Sequence, residues 1–363
     1  MVKKVLVLSN MYPSLKYPHY GIFVKNTNDI LEQSGYQVDC IAITKTKNKF
    51  IKLFKYLFFV LKAIYSLNMK KYDLVYVHYP AFSAIPVRFW VRNKNKLIVN
   101  IHGNDLVPEE ERDKKYIRNT DIAVKFSNRV VLPSHYFEKE FELRYPNYKK
   151  ENIFITPSGG VNRDIFFPKS KLEALKELKL NTDYKYIAFV SRIEINKGWD
   201  LFIEAVKYLK DLLPEFKYII VGSGIQEDLL EKMIQENNLE DYIIKYDYLD
   251  HKQLSSVYNA IEILSFPSLR KSESLGLVGL EAMACRAIVV STRGTGPESY
   301  IKDGDNGFIM ENSTGLDMKN EIIKILNMPA SERDQLKLNA DKSTEFYSKE
   351  NTLNNFKKFI NAL

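Results

Sequence analysis

Residues 267–284 read Pro-Ser-Leu-Arg-Lys-Ser-Glu-Ser-Leu-Gly-Leu-Val-Gly-Leu-Glu-Ala-Met-Ala. Just before them stands a short apolar run, residues 263–266, of the kind that forms a strand buried on both faces. The stretch therefore predicts strand, loop and then a helix beginning near Gly276, with Glu273 in the loop and Glu281 just inside the helix. Two carboxylates eight residues apart would be separated by ~12 Å of rise along a continuous helix and would leave a common face. That spacing suits one extended ligand better than a single proton relay. The backbone amides of Ser274, Leu275, Gly276 and Leu277 would face an anion at the helix N-terminus. The bland alternative is a solvated loop glutamate followed by a glutamate favoured by the helix dipole.

The same alternation runs through the chain. Residues 5–8, 38–43, 74–77 and 97–101 form one set of buried-strand runs, and 186–190, 217–221, 263–266 and 287–291 form another. Helical patterns such as 201–212 and 227–237 lie between them. Strands alternating with helices predict α/β architecture with parallel sheets covered on both faces. Two sets, in a chain of 363 residues, predict two doubly wound, Rossmann-like domains facing a central cleft, with ligands at the carboxyl ends of the strands. The expected domains are residues 1–168 and 169–344, with a break near 168–180 and a closing helix, 345–363, packing back on the first.

Composition excludes several classes. Hydrophobic residues at 45% and charged residues at 27% rule out wholesale disorder. No apolar run approaches the ~20 residues needed to span a bilayer. Lysine plus arginine total 53 against 45 aspartate plus glutamate, a net charge of +8 that favours an anionic partner without choosing among nucleic acid, membrane and nucleotide phosphate. Two cysteines, Cys40 and Cys285, exclude a disulfide scaffold and suit a cytoplasmic enzyme with reduced thiols. The N-terminal apolar stretch is too short for a signal peptide and reads as a first strand.

Arg192 and Lys197 share the loop after residues 186–190, next to Gly198. Two cations there can clamp a diphosphate, the arginine bidentately and the lysine as a compact charge; the bland alternative is a loop whose charges meet only water. Gly222 and Gly224 form a Gly-x-Gly too short for a nucleotide fingerprint.

Together these residues resemble the retaining, nucleotide-sugar-dependent glycosyltransferases of family 4, which have the GT-B fold and carry Glu-x7-Glu, matched by Glu273 and Glu281. The resemblance covers most of the chain. Gly21-Ile22-Phe23-Val24 is similar to the family's N-terminal glycine loop, and His102-Gly103-Asn104-Asp105 to its His-Gly-x-Asp. Pro157-Ser158-Gly159-Gly160-Val161-Asn162 is similar to its interdomain Pro-Asn-Gly-Val-Asp. Gly294-Thr295-Gly296-Pro297-Glu298 and Asp303-Gly304-Asp305-Asn306-Gly307-Phe308 are similar to its C-terminal loops.

The resemblance implies roles. Glu273 would bind hydroxyls of the donor sugar and Glu281 the nucleotide ribose. Arg192 and Lys197 would hold the diphosphate and stabilise charge on the leaving oxygen. His102 would sit near the donor sugar, and the Gly21 loop near the diphosphate and acceptor. His19, His78, His135 and His251 lack such context and read as structural. No cofactor beyond the donor nucleotide sugar is expected, and no metal: Asp303-Gly304-Asp305 spells Asp-x-Asp but sits in a cluster of turn-forming residues. The chain departs from the family at Tyr246-Asp247-Tyr248, where Phe-x-Gly is common, at Arg286 in place of glycine, and at Ser158 in place of asparagine.

Residues 45–72 contain eight lysines and no acid, interleaved with Phe50, Phe54, Phe58, Phe59 and Tyr65. Phe50, Leu53, Phe54, Leu57, Leu61 and Ile64 fall on one helical face. Lys49, Lys52 and Lys55, with Arg88, Phe89, Trp90, Arg92, Lys94 and Lys96 extending the surface, suit an anionic membrane; the alternative is a helix packed on the sheet with solvated lysines.

The combined expectation is a cytoplasmic enzyme, peripheral at the inner face of the cell membrane, that transfers a sugar with retention to a hydroxyl of a cell-envelope or surface glycan, lipid-linked or free. Two other readings compete: a dinucleotide-dependent oxidoreductase, which lacks Gly-x-Gly-x-x-Gly after either first strand, and a basic nucleic-acid-binding protein, which leaves Glu273 and Glu281 without a role.

Overall fold

Val5, Val7, Leu6 and Leu8 are all fully buried, and successive residues feed different cores. Leu6 and Leu8 pack with Phe59, Ala123 and Phe137, while Val5 and Val7 pack with Val24, Leu31, Phe356 and Ile360. A strand buried on both faces must be apolar at every position, which is why these runs show no alternation.

A computed structural model describes residues 2–18, 20–90, 96–157 and 159–363. Two compact units divide it: Met1–Gly159 with Thr352–Leu363, and Gly160–Asn351. The division thus falls at Gly159–Gly160, ahead of the 168–180 break read from composition.

The first unit holds β1 (Lys3–Tyr12), β2 (Tyr36–Thr44), β3 (Leu74–His78), β4 (Leu97–Asn100), β5 (Arg129–Leu132) and β6 (Ile153–Ile155), with α1 (Ile22–Gln33), α2 (Lys49–Met69), α3 (Pro80–Ser83), α4 (Glu111–Phe126) and α5 (His135–Arg144). The sheet is parallel in the order β2-β1-β3-β4-β5-β6, so strand order reverses between β1 and β3.

The second unit holds α6 (Lys171–Glu177), β7 (Lys185–Val190), α7 (Trp199–Leu212), β8 (Phe216–Val221), α8 (Glu227–Glu236), β9 (Ile243–Tyr246), α9 (His251–Ala260), β10 (Ile263–Phe266), α10 (Leu277–Ala284), β11 (Ile288–Thr292), β12 (Phe308–Met310), α11 (Gly315–Asn327) and α12 (Ala330–Ser343). Its parallel sheet runs β12-β11-β10-β7-β8-β9, reversing between β7 and β10. Tyr186, Ala188 and Val190 face one core and Ile187 and Phe189 the other. A last helix, α13 (Lys349–Asn361), places Phe356 and Ile360 in the first unit's core.

Both units are therefore doubly wound α/β sheets, as expected. The short strands β5, β6, β9 and β12 were not legible beforehand: β6 and β9 are edge strands only partly buried along their length, so they lack the continuous apolar signal of inner strands. Cys40 and Cys285 are free thiols. No helix among the described residues is long and apolar enough to cross a membrane.

Helix α2 is longer and more exposed than its neighbours. Phe59, Ala63, Ser66 and Leu67 turn inward. Phe50 (78% exposed), Phe54, Leu57, Phe58 (67%), Leu61 and Tyr65 face solvent, with Lys49, Lys52 and Lys62 among them. Two residues assigned to this surface sit elsewhere. Lys55 donates to Thr44 Oγ1 at 2.7 Å and to its carbonyl, tying α2 to β2. Trp90 is 7% exposed and belongs to the core with Ala84 and Val87, because the turn through Arg88 and Phe89 leaves those two outside and folds the indole in. Arg88 is exposed, and Asn68 Nδ2 donates to the Phe89 carbonyl, linking the turn to the end of α2. Arg92, Lys94, His19 and Ser158 lie outside the described residues.

Candidate active site

In an open parallel sheet, the loops that leave neighbouring strands in opposite directions at the order reversal open a crevice at the carboxyl ends. In the second unit those are the loops after β7 and β10, which carry Lys197 and Glu273. Gly198 brings them together. It takes a left-handed φ of 77° to cap α7, and a Cβ there would stand 2.0 Å from the Pro267 carbonyl oxygen. Only glycine meets both demands. Leu269 N then donates to the Asn196 carbonyl at 2.9 Å, joining the loops through backbone.

Lys197 Nζ donates to Glu273 Oε2 at 2.5 Å, with both side chains mostly buried, and Ser268 Oγ donates to the same oxygen at 3.3 Å. Glu273 N donates to the Arg270 carbonyl and Glu273 O accepts from Gly296 N, so its backbone is held from both sides. Ser268 and Thr292, whose hydroxyl donates to the Ser268 carbonyl, belong to the site and were missed: hydroxyl residues in a serine-rich loop carry no distinguishing signal.

Helix α10 begins at Leu277, with Gly276 as its N-cap and Glu273 in the preceding loop, as the spacing implied. No side chain caps it, unlike α9, where Asp250 and Gln253 form a capping box. Gly279 N already donates to the Gly276 carbonyl at 3.0 Å, so the amides of Leu277 and Val278 are the ones this turn leaves for a ligand acceptor. Leu275 is buried beneath that turn, and Tyr300 Oη donates to the Gly276 carbonyl at 2.9 Å, which stiffens it. Glu281 lies in the second turn of α10, partly buried beside Tyr258; burial pushes its carboxyl up to about 8.

Arg192 follows β7 but does not join Lys197 through a shared partner: its guanidinium is 60% exposed and pairs with Glu194 at 2.6 Å. Each cation of the expected clamp therefore holds a carboxylate. Asp303 and Asp305 serve a turn, Asp303 accepting from Ile309 N and Asp305 from Asn339 Nδ2, both at 2.9 Å. Arg286 stands at a left-handed φ of 66°, the conformation glycine would favour, and pairs with Asp341.

In the first unit, the reversal lies between β1 and β3. Gly21 caps α1 at φ 73°, where a Cβ would come within 2.8 Å of Met11 and Tyr12 backbone. The next turn carries Phe23, whose ring lies tilted against His102, with centroids 4.4 Å apart and planes at 38°. His102 is fixed from behind by Asp105, fully buried, which accepts from the amides of His102 and Gly103. Burial pushes Asp105 up to about 7 and His102 down to about 3, so His102 is a neutral imidazole. His78, read as structural, has its Nδ1 3.1 Å from His102 Nε2, and Tyr79 stacks nearly parallel on His102. His78 lacked a sequence signal because its partner is one strand away, not one turn away.

Residues 170–343 match the family model for glycosyl transferases group 1. An uncharacterized glycosyltransferase of Methanocaldococcus jannaschii is 25% identical over 345 residues, covering 89% of this chain and 90% of that protein. Sucrose-phosphate synthase of Thermosynechococcus elongatus superposes with a TM-score of 0.79 at 19% identity, over 100% of this chain and 99% of that one. Anabaena HepE, solved in complex with UDP-glucose, gives 0.74 at 16% identity, over 99% and 100%. At such identities the structural likeness establishes the fold, and that fold is GT-B. The chain is a glycosyltransferase of GT-B fold whose residues 170–343 are similar to the glycosyl transferases group 1 family.

Proposed function

We propose that the chain is a retaining glycosyltransferase of family 4, moving a sugar from a nucleoside diphosphate to a hydroxyl of a cell-envelope or surface glycan without a metal ion. The observation that carries this is the Lys197–Glu273 pair beside the uncapped start of α10, at the order reversal of the second sheet. A lysine and open helix amides form a site for phosphate oxygens.

In the reaction, the bond from the anomeric carbon to the β-phosphate oxygen breaks and its electron pair stays on the phosphate. The acceptor hydroxyl oxygen bonds to that carbon from the same side and passes its proton to the leaving phosphate oxygen. Negative charge grows on the leaving oxygen, where Lys197, Arg192 and the amides of Ser274 to Leu277 stabilise it most. Glu273, neutralised by Lys197, accepts hydrogen bonds from sugar hydroxyls and is not a nucleophile. Glu281 holds the ribose, and His102 with the Gly21 loop faces the sugar and acceptor. The UDP-glucose complex of Anabaena HepE supports a nucleotide-sugar donor.

A second observation bears on the acceptor. The exposed face of α2 joins Phe50, Phe54, Phe58 and Leu61 to Lys49, Lys52 and Lys62, with no acid in residues 45–72. Apolar side chains flanked by lysines complement an anionic lipid surface. This supports a lipid-linked acceptor met at the cytoplasmic face of the membrane.

The test of the reaction is the anomeric configuration of the product, read by proton NMR as it forms. The account expects the donor's configuration; the opposite configuration rejects it.

A further inference from the structure

His78, at the end of β3, is fully buried, and its Nδ1 lies 3.1 Å from His102 Nε2. One proton is shared, which leaves two arrangements. If His78 Nδ1 accepts, that ring carries its proton on Nε2, a buried atom with no hydrogen-bond partner among the described residues. If His78 Nδ1 donates, the orphan at Nε2 is only an unused lone pair. An unpaired buried N–H is the costlier defect. Asn100 Nδ2 also approaches His78 Nδ1, at 3.5 Å, but lies closer to Tyr76 Oη, at 3.0 Å, and competes weakly for that lone pair. Burial holds both rings neutral, so neither arrangement is replaced by a charged one.

We propose that His78 is a positioning residue that donates Nδ1–H to His102 Nε2 and thereby fixes the His102 proton on Nδ1. Whatever touches His102 Nδ1 then meets a hydrogen-bond donor and not a base. The ring cannot readily turn over to exchange its nitrogens, because it lies between Phe23, at 4.4 Å, and Tyr79, at 5.9 Å and 7° from parallel. Tyr79 itself is held at φ 52°, a left-handed conformation rare for an aromatic residue and frequent where structure serves a site. The inference rests on the reading of His102 as the group beside the donor sugar. A neutral N–H there holds a sugar hydroxyl, or the leaving oxygen, throughout the reaction.

Protein labelled with 15N-histidine, read by two-bond proton–nitrogen correlation, reports the tautomers without any activity. The expected spectrum shows His102 protonated on Nδ1 and bare at Nε2, with His78 also protonated on Nδ1. Protonation of His102 on Nε2 overturns the proposal. His78→Asn keeps an amide donor in the place of Nδ1 and should retain the His102 tautomer and kcat within about threefold. His78→Leu should release the tautomer and lower kcat about tenfold with donor KM little changed, the scale of one hydrogen bond. If His78→Leu does not fold, a large loss of kcat in His78→Asn overturns the proposal by itself. The expected spectrum in a protein that transfers no sugar would leave the tautomer assignment standing and sink the functional reading instead.

Discussion

Lys197 Nζ donates to Glu273 Oε2 across 2.5 Å, although the two residues are 76 positions apart and follow different strands. Neither side chain is well solvated, so each depends on the other for its charge to be tolerated.

Lys197→Ala should lower turnover by about 100-fold or more, the scale of removing one preorganised charge-stabilising group. Glu273→Gln should depress transfer while nucleoside diphosphate still binds, since that ligand lacks the sugar. Because the two groups are coupled, the double variant should cost clearly less than the sum of the singles. Arg192→Ala should cost less than Lys197→Ala, the arginine being exposed and paired only with Glu194. Steady-state kinetics of the four variants checks this; additive effects of Lys197→Ala and Glu273→Gln would contradict the coupling.

Glu281→Gln should trade binding for stability. In the folded chain the carboxyl is pushed from its ordinary 4.5 to about 8 by burial. Folding therefore favours the protonated form: the contribution is complete below pH ~4.5 and is lost as pH rises towards 8. The amide has no such loss, so the gain in melting temperature over wild type should be larger at pH 8.5 than at pH 5. At pH 8.5, where the carboxyl is ionised, the same variant should bind nucleoside diphosphate roughly ten- to a hundred-fold more weakly, through the lost ribose contact. Calorimetry at both pH values measures both effects, and unchanged nucleotide affinity would remove Glu281 from the ribose.

How far could this be read beforehand? The inner strands and both sheets were legible because residues such as Val5–Val7 and Ile187–Phe189 must satisfy two cores at once, which leaves an unbroken apolar run. The Glu273 loop and the start of α10 were legible from local spacing. What escaped was decided by packing: His78 beside His102 on the neighbouring strand, Glu194 taking up Arg192 within their own loop, and the indole of Trp90 folding into the core past the exposed Arg88 and Phe89. The lysines of α2 looked equivalent in sequence, yet Lys55 alone of Lys49, Lys52 and Lys55 bonds to Thr44, because only its position on the helix faces β2.

Divalent chelators should leave activity unchanged, and Asp303→Asn with Asp305→Asn should affect stability more than turnover, since those carboxylates hold a turn. Activity lost to chelator and restored by manganese would make the pair ligands after all.

Wild-type protein should co-sediment with vesicles containing anionic lipid and be released by salt. Changing Lys49, Lys52 and Lys62 to Glu should weaken that binding, each lysine contributing about 1 kcal/mol near the surface. Phe50→Ser with Phe58→Ser should weaken it at every salt concentration without unfolding the exposed helix. Equal binding to neutral and anionic vesicles, or none to either, would mean that α2 serves only to cover the sheet.

The central claim is that Lys197 and the start of α10 receive the diphosphate of a nucleotide sugar. A panel of nucleotide sugars, scored for nucleoside diphosphate release and for thermal stabilisation in wild type and Lys197→Ala, tests it most directly. The account predicts that at least one donor stabilises the wild type and is turned over, and that Lys197→Ala loses both responses to that donor. A donor that binds and reacts equally well with Lys197→Ala, or a panel in which nothing is turned over, would contradict it.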